Sequence, residues 1–207
     1  MVLIVGINGS PRKYGYTVFL LKIALEAARR EGADVVLVNL YDYHIEPCIG
    51  CVSDHQTACR VPCVIKDDMN KLYELIEKSK GIIIATPVYW FSTSGVVKNF
   101  IDRLTAMENM IFIEGRSRLE GKVAGFIAVG NDSGSIMTTG YLALVLNQMG
   151  IAIPPWAMAY HNSMKPVYED KSVLLDAANV GRNVALMVLK RYVETWYTTE
   201  IPWLDPY

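Results

Sequence analysis

Short, unbroken apolar runs alternate along this chain with longer stretches in which apolar positions recur every three or four residues. The runs Val2 to Ile7, Val35 to Leu40, Gly81 to Thr86 and Lys122 to Gly130 predict strands, and a fifth begins at Ile151 to Ile153. Between them, Leu20, Ile23, Ala24 and Ala27 predict a helix over Tyr16 to Arg30, closed by Gly32. Met69, Leu72, Leu75 and Ile76 line a helix behind the carboxylates of Asp67 and Asp68; Val97, Phe100, Ile101 and Leu104 line another. Thr138 to Met149, ending at Gly150, and Ser172 to Thr195 complete the helices. Strands that are apolar throughout and separated by helices imply an α/β chain with a five-stranded parallel sheet covered on both faces.

With 207 residues the chain is long enough for one domain with a real core, expected over residues 1–195, and too short for two. A cysteine-rich insertion interrupts that domain at about residues 47–64. Residues 196–207 form an aromatic extension with Trp196, Tyr197, Trp203 and Tyr207, suited to packing on the chain's own surface or to a subunit contact. The net charge is −1, with no basic surplus, which argues against unaided nucleic-acid binding. The N-terminus reads as a strand rather than a signal peptide, and no apolar run reaches membrane-spanning length, so a cytoplasmic protein is expected.

In an open parallel sheet, ligands bind beyond the carboxyl ends of the strands. After the first strand, the loop holding Ser10, Arg12, Gly15, Tyr16 and Thr17 offers hydroxyls, cations, close backbone approach and a helix N-terminus. That set suits a monophosphate, and it also suits an ordinary capped turn. It matches neither the dinucleotide fingerprint nor the nucleotide triphosphate loop. After the third strand, Pro87, Val88, Tyr89, Trp90 and Phe91 supply flat apolar walls, or else an aromatic core cluster. After the fourth, Gly130, Asn131, Asp132 and Gly134 make a small polar loop fit for backbone contacts. The four cysteines are spaced Cys48-x2-Cys51-x7-Cys59-x3-Cys63. Four soft ligands in one segment suit a [4Fe–4S] cluster; a zinc site and free thiols are the alternatives.

Five motifs in order carry a resemblance. Ser10-Pro-Arg-x-x-Gly-x-Thr17, the cysteine cluster, Cys63-Val-Ile-Lys-Asp-Asp68, Pro87-Val-Tyr-Trp90 and Lys98-Asn-Phe-Ile-Asp-Arg103 together resemble the NAD(P)H-dependent FMN reductase family, and within it the iron–sulfur flavoproteins. The resemblance implies a flavodoxin-like three-layer sandwich and FMN, with its phosphate on Ser10, Arg12, Gly15, Tyr16 and Thr17 and its ring against residues 87–91 and 130–134. It implies electron transfer from NAD(P)H through the flavin, by way of a [4Fe–4S] cluster on Cys48, Cys51, Cys59 and Cys63, to a quinone, flavin or redox-protein acceptor. The flavin carries that chemistry, so no side chain is expected to act as a general acid or base. A homodimer or homotetramer is implied as well. Asp102 and Arg103 resemble the family's Asp-Arg pair and read as a structural or subunit-contact pair. Two departures stand out: Tyr16 replaces a more usual Asn, and Asp54 stands where a third cysteine is usual, with Cys59 further on. A quinone reductase with a non-redox cysteine loop, or a flavodoxin-like carrier, are the competing readings.

Overall fold

A computed structural model describes residues 2–191 and 200–204. Five strands, β1 (Leu3–Asn8), β2 (Asp34–Asn39), β3 (Gly81–Pro87), β4 (Val123–Gly130) and β5 (Met158–Asn162), form one sheet in the order β2-β1-β3-β4-β5, every pair parallel. Among the described residues six α-helices accompany them: α1 (Tyr16–Arg30), α2 (Met69–Lys78), α3 (Gly95–Glu108), α4 (Ile111–Glu114), α5 (Ser135–Gln148) and α6 (Lys171–Val188). Alternate strand residues feed two cores. Val5, Ile7, Ile82 and Ile84 face α2, α3 and α5; Ile4, Ile83 and Ala85 face α1 and α6. Each Ile or Val buried this way contributes about 1.5–3 kcal/mol. The result is three layers, helix on sheet on helix.

The fifth strand starts later than expected. Ile151 to Ile153 reach only a single bridge, Ala152 to Val123, because Pro154 and Pro155 follow at once and proline lacks the N–H a sheet needs. Pairing resumes at Met158. The last helix also stops short of Thr195: it ends at Val188, and Lys190 takes a left-handed φ of 55° that no helix continues through. Short α4 follows α3 without an apolar period of its own, and carries no signal in the pattern. In the extension, Trp203 packs on its own chain, with the Arg30 guanidinium 4.6 Å above its ring. Trp196, Tyr197 and Tyr207 lie outside the described residues.

Candidate functional site

The order of the strands reverses between β1 and β3, and there the loops after β1, β3 and β4 enclose a cleft of about 870 Å³. The loop after β1 is braced by hydrogen bonds to three other parts of the chain. The buried Asn8 side chain accepts from Ser10 N–H at 3.1 Å and donates to Asn39 at 2.9 Å, pinning the turn to β2. Gly9 N–H donates to the Ala85 carbonyl at 2.8 Å, and the Ser94 hydroxyl donates to the Gly9 carbonyl at 2.7 Å. A Cβ on Gly9 would stand 2.1 Å from a Val97 methyl, so only glycine lets the loop sit this close to α3. Helix α1 then starts from Gly15 with no capping side chain and no acidic residue in its first turn. Its first amide groups, the buried Thr17 hydroxyl and the proton of the buried Ser10 hydroxyl, whose oxygen accepts from Arg12 N–H at 3.2 Å, therefore remain for an anion. Lys13 is engaged by Asp42 at 2.5 Å, which leaves Arg12, unpaired among the described residues, as the cation beside the cleft.

The opposite wall rests on backbone strain. Thr86 accepts from Ser94 N–H at 3.0 Å, and Val88 N–H donates to the Val129 carbonyl at 2.9 Å, so the chain leaves β3 on a fixed course. Tyr89 and Ser92 then exchange two backbone hydrogen bonds across Trp90 and Phe91, whose φ values are 50° and 63°. Tight turns of this kind favour Asn and Gly; a bulky residue there costs on the order of 1–3 kcal/mol. The turn presents Trp90 at 94% exposure, with Tyr89 and Phe91 about half exposed, so these aromatics are not a core cluster. Gly130, Asn131, Asp132 and Ser133 close the cleft from the β4 side. Gly134 stands behind that wall rather than in it. With φ at 88° it begins α5, and an added Cβ would meet Phe91 at 2.9 Å. Its lack of a side chain gives Phe91 room. The cleft also includes Pro11, Lys13, Tyr14, Val129 and Ser133; all five adjoin the expected residues in sequence.

The cysteine segment lies along α3. Both of its ends are fastened by a buried ion pair. Arg103, 1% exposed, donates to Asp67 at 2.6 and 3.1 Å and to the Glu46 carbonyl at 3.0 Å, while Asp67 accepts from the amides of Glu46 and Met69. Burial alone would push the Asp67 carboxyl up; the Arg103 guanidinium and those two amides outweigh it and hold the group below the usual carboxylate range. The adjacent Asp102 turns the other way and pairs with Lys98 at 2.6 Å. The Asp-Arg motif is thus two separate contacts: a solvated pair and an internal anchor.

Cys48 is exposed, Cys51 and Cys63 are half-buried, and Cys59 is buried. Burial, together with the neighbouring Cys51, Cys48 and Cys63 sulfurs, pushes the Cys59 thiol up to about 12. Loading a metal here therefore releases protons. Gly50, in the left-handed region, directs its N–H at the Cys48 sulfur at 3.5 Å. The Arg103 Nε–H is buried without a partner, and Cys63 lies within the field of that guanidinium. Four thiols, an amide aimed at one sulfur and an unpartnered buried donor make a donor set that fits a soft metal group. Among the described residues, no three His, Cys, Asp or Glu side chains close on the position of a single ion.

The model of the NADPH-dependent FMN reductase family matches residues 2–164. The chain belongs to that family. By this membership it is an FMN-dependent oxidoreductase. An iron-sulfur flavoprotein of Archaeoglobus fulgidus is 34% identical over 189 residues, 91% of this chain and 81% of the relative. Among solved structures, RosB with a bound 8-demethyl-8-formylriboflavin-5'-phosphate shares the fold at a TM-score of 0.74 and 22% identity, over 93% of this chain and 82% of that one. An archaeal flavodoxin shares it at 0.60 and 12% identity, over 91% and 99%. The flavodoxin-like architecture of this family member is therefore plain from both sequence and shape. No helix among the described residues is long and apolar enough to cross a membrane.

Proposed function

We propose that the cleft holds FMN with its phosphate at the start of α1 and its ring between the residue 87–91 turn and the residue 130–133 loop. The observation that carries this is the junction of an uncapped helix N-terminus with a flat aromatic wall in one cleft at the strand-order reversal. Ser10, Thr17 and the amides of Tyr16 and Thr17 bind the phosphate, Arg12 neutralises it, and Gly15, whose N–H closes the turn on the Arg12 carbonyl at 3.1 Å, lets the backbone pass close to Arg12. Pro87 and Val88 set the plane of the ring, Tyr89, Trp90 and Phe91 wall it, and Asn131 and Asp132 meet its polar edge. Gly130 and Gly134 let these loops approach. When bound, FMN would supply two-electron acceptance from NAD(P)H and one-electron release, and Cys48, Cys51, Cys59 and Cys63 would hold a [4Fe–4S] cluster suited to passing single electrons to an acceptor. The chain's own work is to bind, orient and shield; the cleft needs no acid or base side chain. The iron-sulfur flavoprotein relative and the soft donor set support the cluster over a bare thiol loop.

Anaerobic purification followed by a visible spectrum with iron, sulfide and zinc analysis tests the reading. Flavin and iron in one chain are expected. Zinc, or flavin with no metal, would leave the quinone-reductase reading; protein that takes up no FMN would remove the central assignment. Steady consumption of NAD(P)H separates an enzyme from a passive carrier.

Two substitutions probe the cleft walls. Arg12→Ala removes a charge-assisted phosphate contact and should weaken FMN binding about tenfold or more. Flavin fluorescence titration reads this, and an unchanged Kd would take Arg12 out of the site. Trp90→Gly should raise stability by about 1 kcal/mol, because glycine occupies positive φ without penalty. It should also slow flavin reduction by NAD(P)H in stopped flow. Equal stability would mean that the turn stores no strain.

Self-association is part of the same reading. Helix α5 contains no charged residue and exposes Ile136, Met137 and Leu144 to solvent. A homodimer or homotetramer built on that face would cover it. Light scattering should report a multiple of the chain mass, and a monomer at micromolar concentration would dismiss the idea.

A further inference from the structure

Cys59 differs from the other three cysteines in how it is held. It is 5% exposed, in the core that α2 and α3 share, and it follows the longest gap in the cysteine series. Residues 53–57 within that gap are all exposed, so packing, which holds Val52 and Val61 on either flank, gives no hold on the stretch that leads into Cys59. Local turns shape the gap: Asp54 N–H donates to the Cys51 carbonyl at 3.2 Å and Ala58 N–H to the His55 carbonyl at 2.9 Å. Turns fix a loop's shape and not its place on the body.

The tie to the body comes from the end of α3. Asn109 is 2% exposed, and its own amide donates to the Thr105 carbonyl at 2.8 Å, so its backbone belongs to the helix. Its side-chain Nδ2 donates to the carbonyl of Gln56 at 2.7 Å and to that of Cys59 at 2.7 Å. Both protons of the amide are used, and both partners are acceptors. A flipped amide would set oxygen lone pairs against two carbonyl oxygens, so the chemistry admits one orientation.

We propose that Asn109 is the positioning residue of the thiol cluster: its carboxamide gathers two carbonyls of the Cys51–Cys59 loop so that the Cys59 thiol stands in place before any metal arrives. The inference rests on the cluster reading for its purpose, though not for its geometry. A preplaced fourth thiol spares the loading step the ordering of an exposed loop. Without the clamp, Cys59 would leave the core with its loop, and three thiols would remain.

The test uses full-length protein in two states. Metal-free, reduced wild type is alkylated with iodoacetamide, and each cysteine is followed by mass spectrometry beside Asn109→Ala and the isosteric Asn109→Asp, which lacks the donors. In wild type, Cys59 should label slowly and Cys48 quickly. In the variants, Cys59 labelling should accelerate about tenfold or more, with FMN binding and cooperative melting retained. Unchanged Cys59 labelling in both variants would overturn the proposal. So would loss of FMN binding and of cooperative melting in both, which would make Asn109 a general core residue. Anaerobic reconstitution with ferrous iron and sulfide is the second arm. The variants should retain less than half the iron of wild type, and equal retention would also overturn the proposal. Wild type that takes up no iron, with the labelling contrast intact, would remove the cluster reading and leave Asn109 as the residue that places Cys59.

Discussion

Arg103→Leu should cost about 3–5 kcal/mol of stability, measured by denaturant unfolding at neutral pH. The substitution leaves Asp67, fully buried, facing an apolar side chain with its charge uncompensated. It also frees the Glu46 carbonyl, so both ends of the cysteine segment lose the ion-pair anchor, and only the Asn99 amide on the Ile45 carbonyl still ties the first end to α3. The pH dependence identifies the cause. In wild type the folded Asp67 carboxyl lies below its unfolded value, so its contribution is present above the usual carboxylate range and disappears as pH falls through the folded value. In the variant the guanidinium is gone and only the Glu46 and Met69 amides still oppose burial, so the same group lies higher than in wild type and less stability is lost as pH falls and the proton arrives. The stability gap between the two proteins should therefore narrow in acid, from about pH 5 downward. A gap that stays constant to pH 3 would mean that the loss is packing and not charge. Replacing Asp67 by Leu as well should recover most of the deficit, since the orphaned charge goes with it.

That anchor was hidden in the sequence, and the reason is physical. Asp102 and Arg103 are adjacent, and neighbouring residues on a helix point in different directions, so they do not face each other. The partner of Arg103 lies 36 positions back, brought near by the fold. The same limit applies to Asn8, Ser94 and Asn109, whose side chains carry long-range hydrogen bonds and which look like any polar residue in a loop or at a helix end. What was legible was local. Continuous apolar runs gave away buried parallel strands, and the loops after β1, β3 and β4 followed from the architecture. Hence the expected loop residues line one cleft, while Gly134 lies one layer behind it, where its missing side chain gives Phe91 room. The late start of β5 was legible in principle, since Pro154 and Pro155 forbid pairing. The left-handed φ at Trp90 and Phe91 was not, because nothing in two aromatic residues announces a conformation usually left to Asn and Gly.

Gly181→Ala should destabilise the protein by about 3 kcal/mol or more, the upper part of the range for overpacked cores. Helices α1 and α6 cross with Gly181 against the backbone of Ala24. An added Cβ would stand 1.8 Å from the Ala24 carbonyl oxygen and 2.5 Å from its carbon. No rotamer change relieves a clash with backbone, so one helix must move away. Helix α1 is the one whose start forms the phosphate site, and moving it drags the amides of residues 16–18 out of line with Ser10. FMN binding should thus weaken along with stability, although Gly181 lies on another helix and lines no part of the cleft. Gly140→Ala is the matched control. Gly140 lies within α5 with nothing within 4 Å of the added Cβ, so the same change should stabilise by about 0.5–1 kcal/mol through helix propensity. Opposite signs for one chemical change at two helical glycines would locate the effect in the α1–α6 contact. Two gains, or unaltered FMN affinity in a destabilised Gly181→Ala, would show that the phosphate loop is uncoupled from that packing.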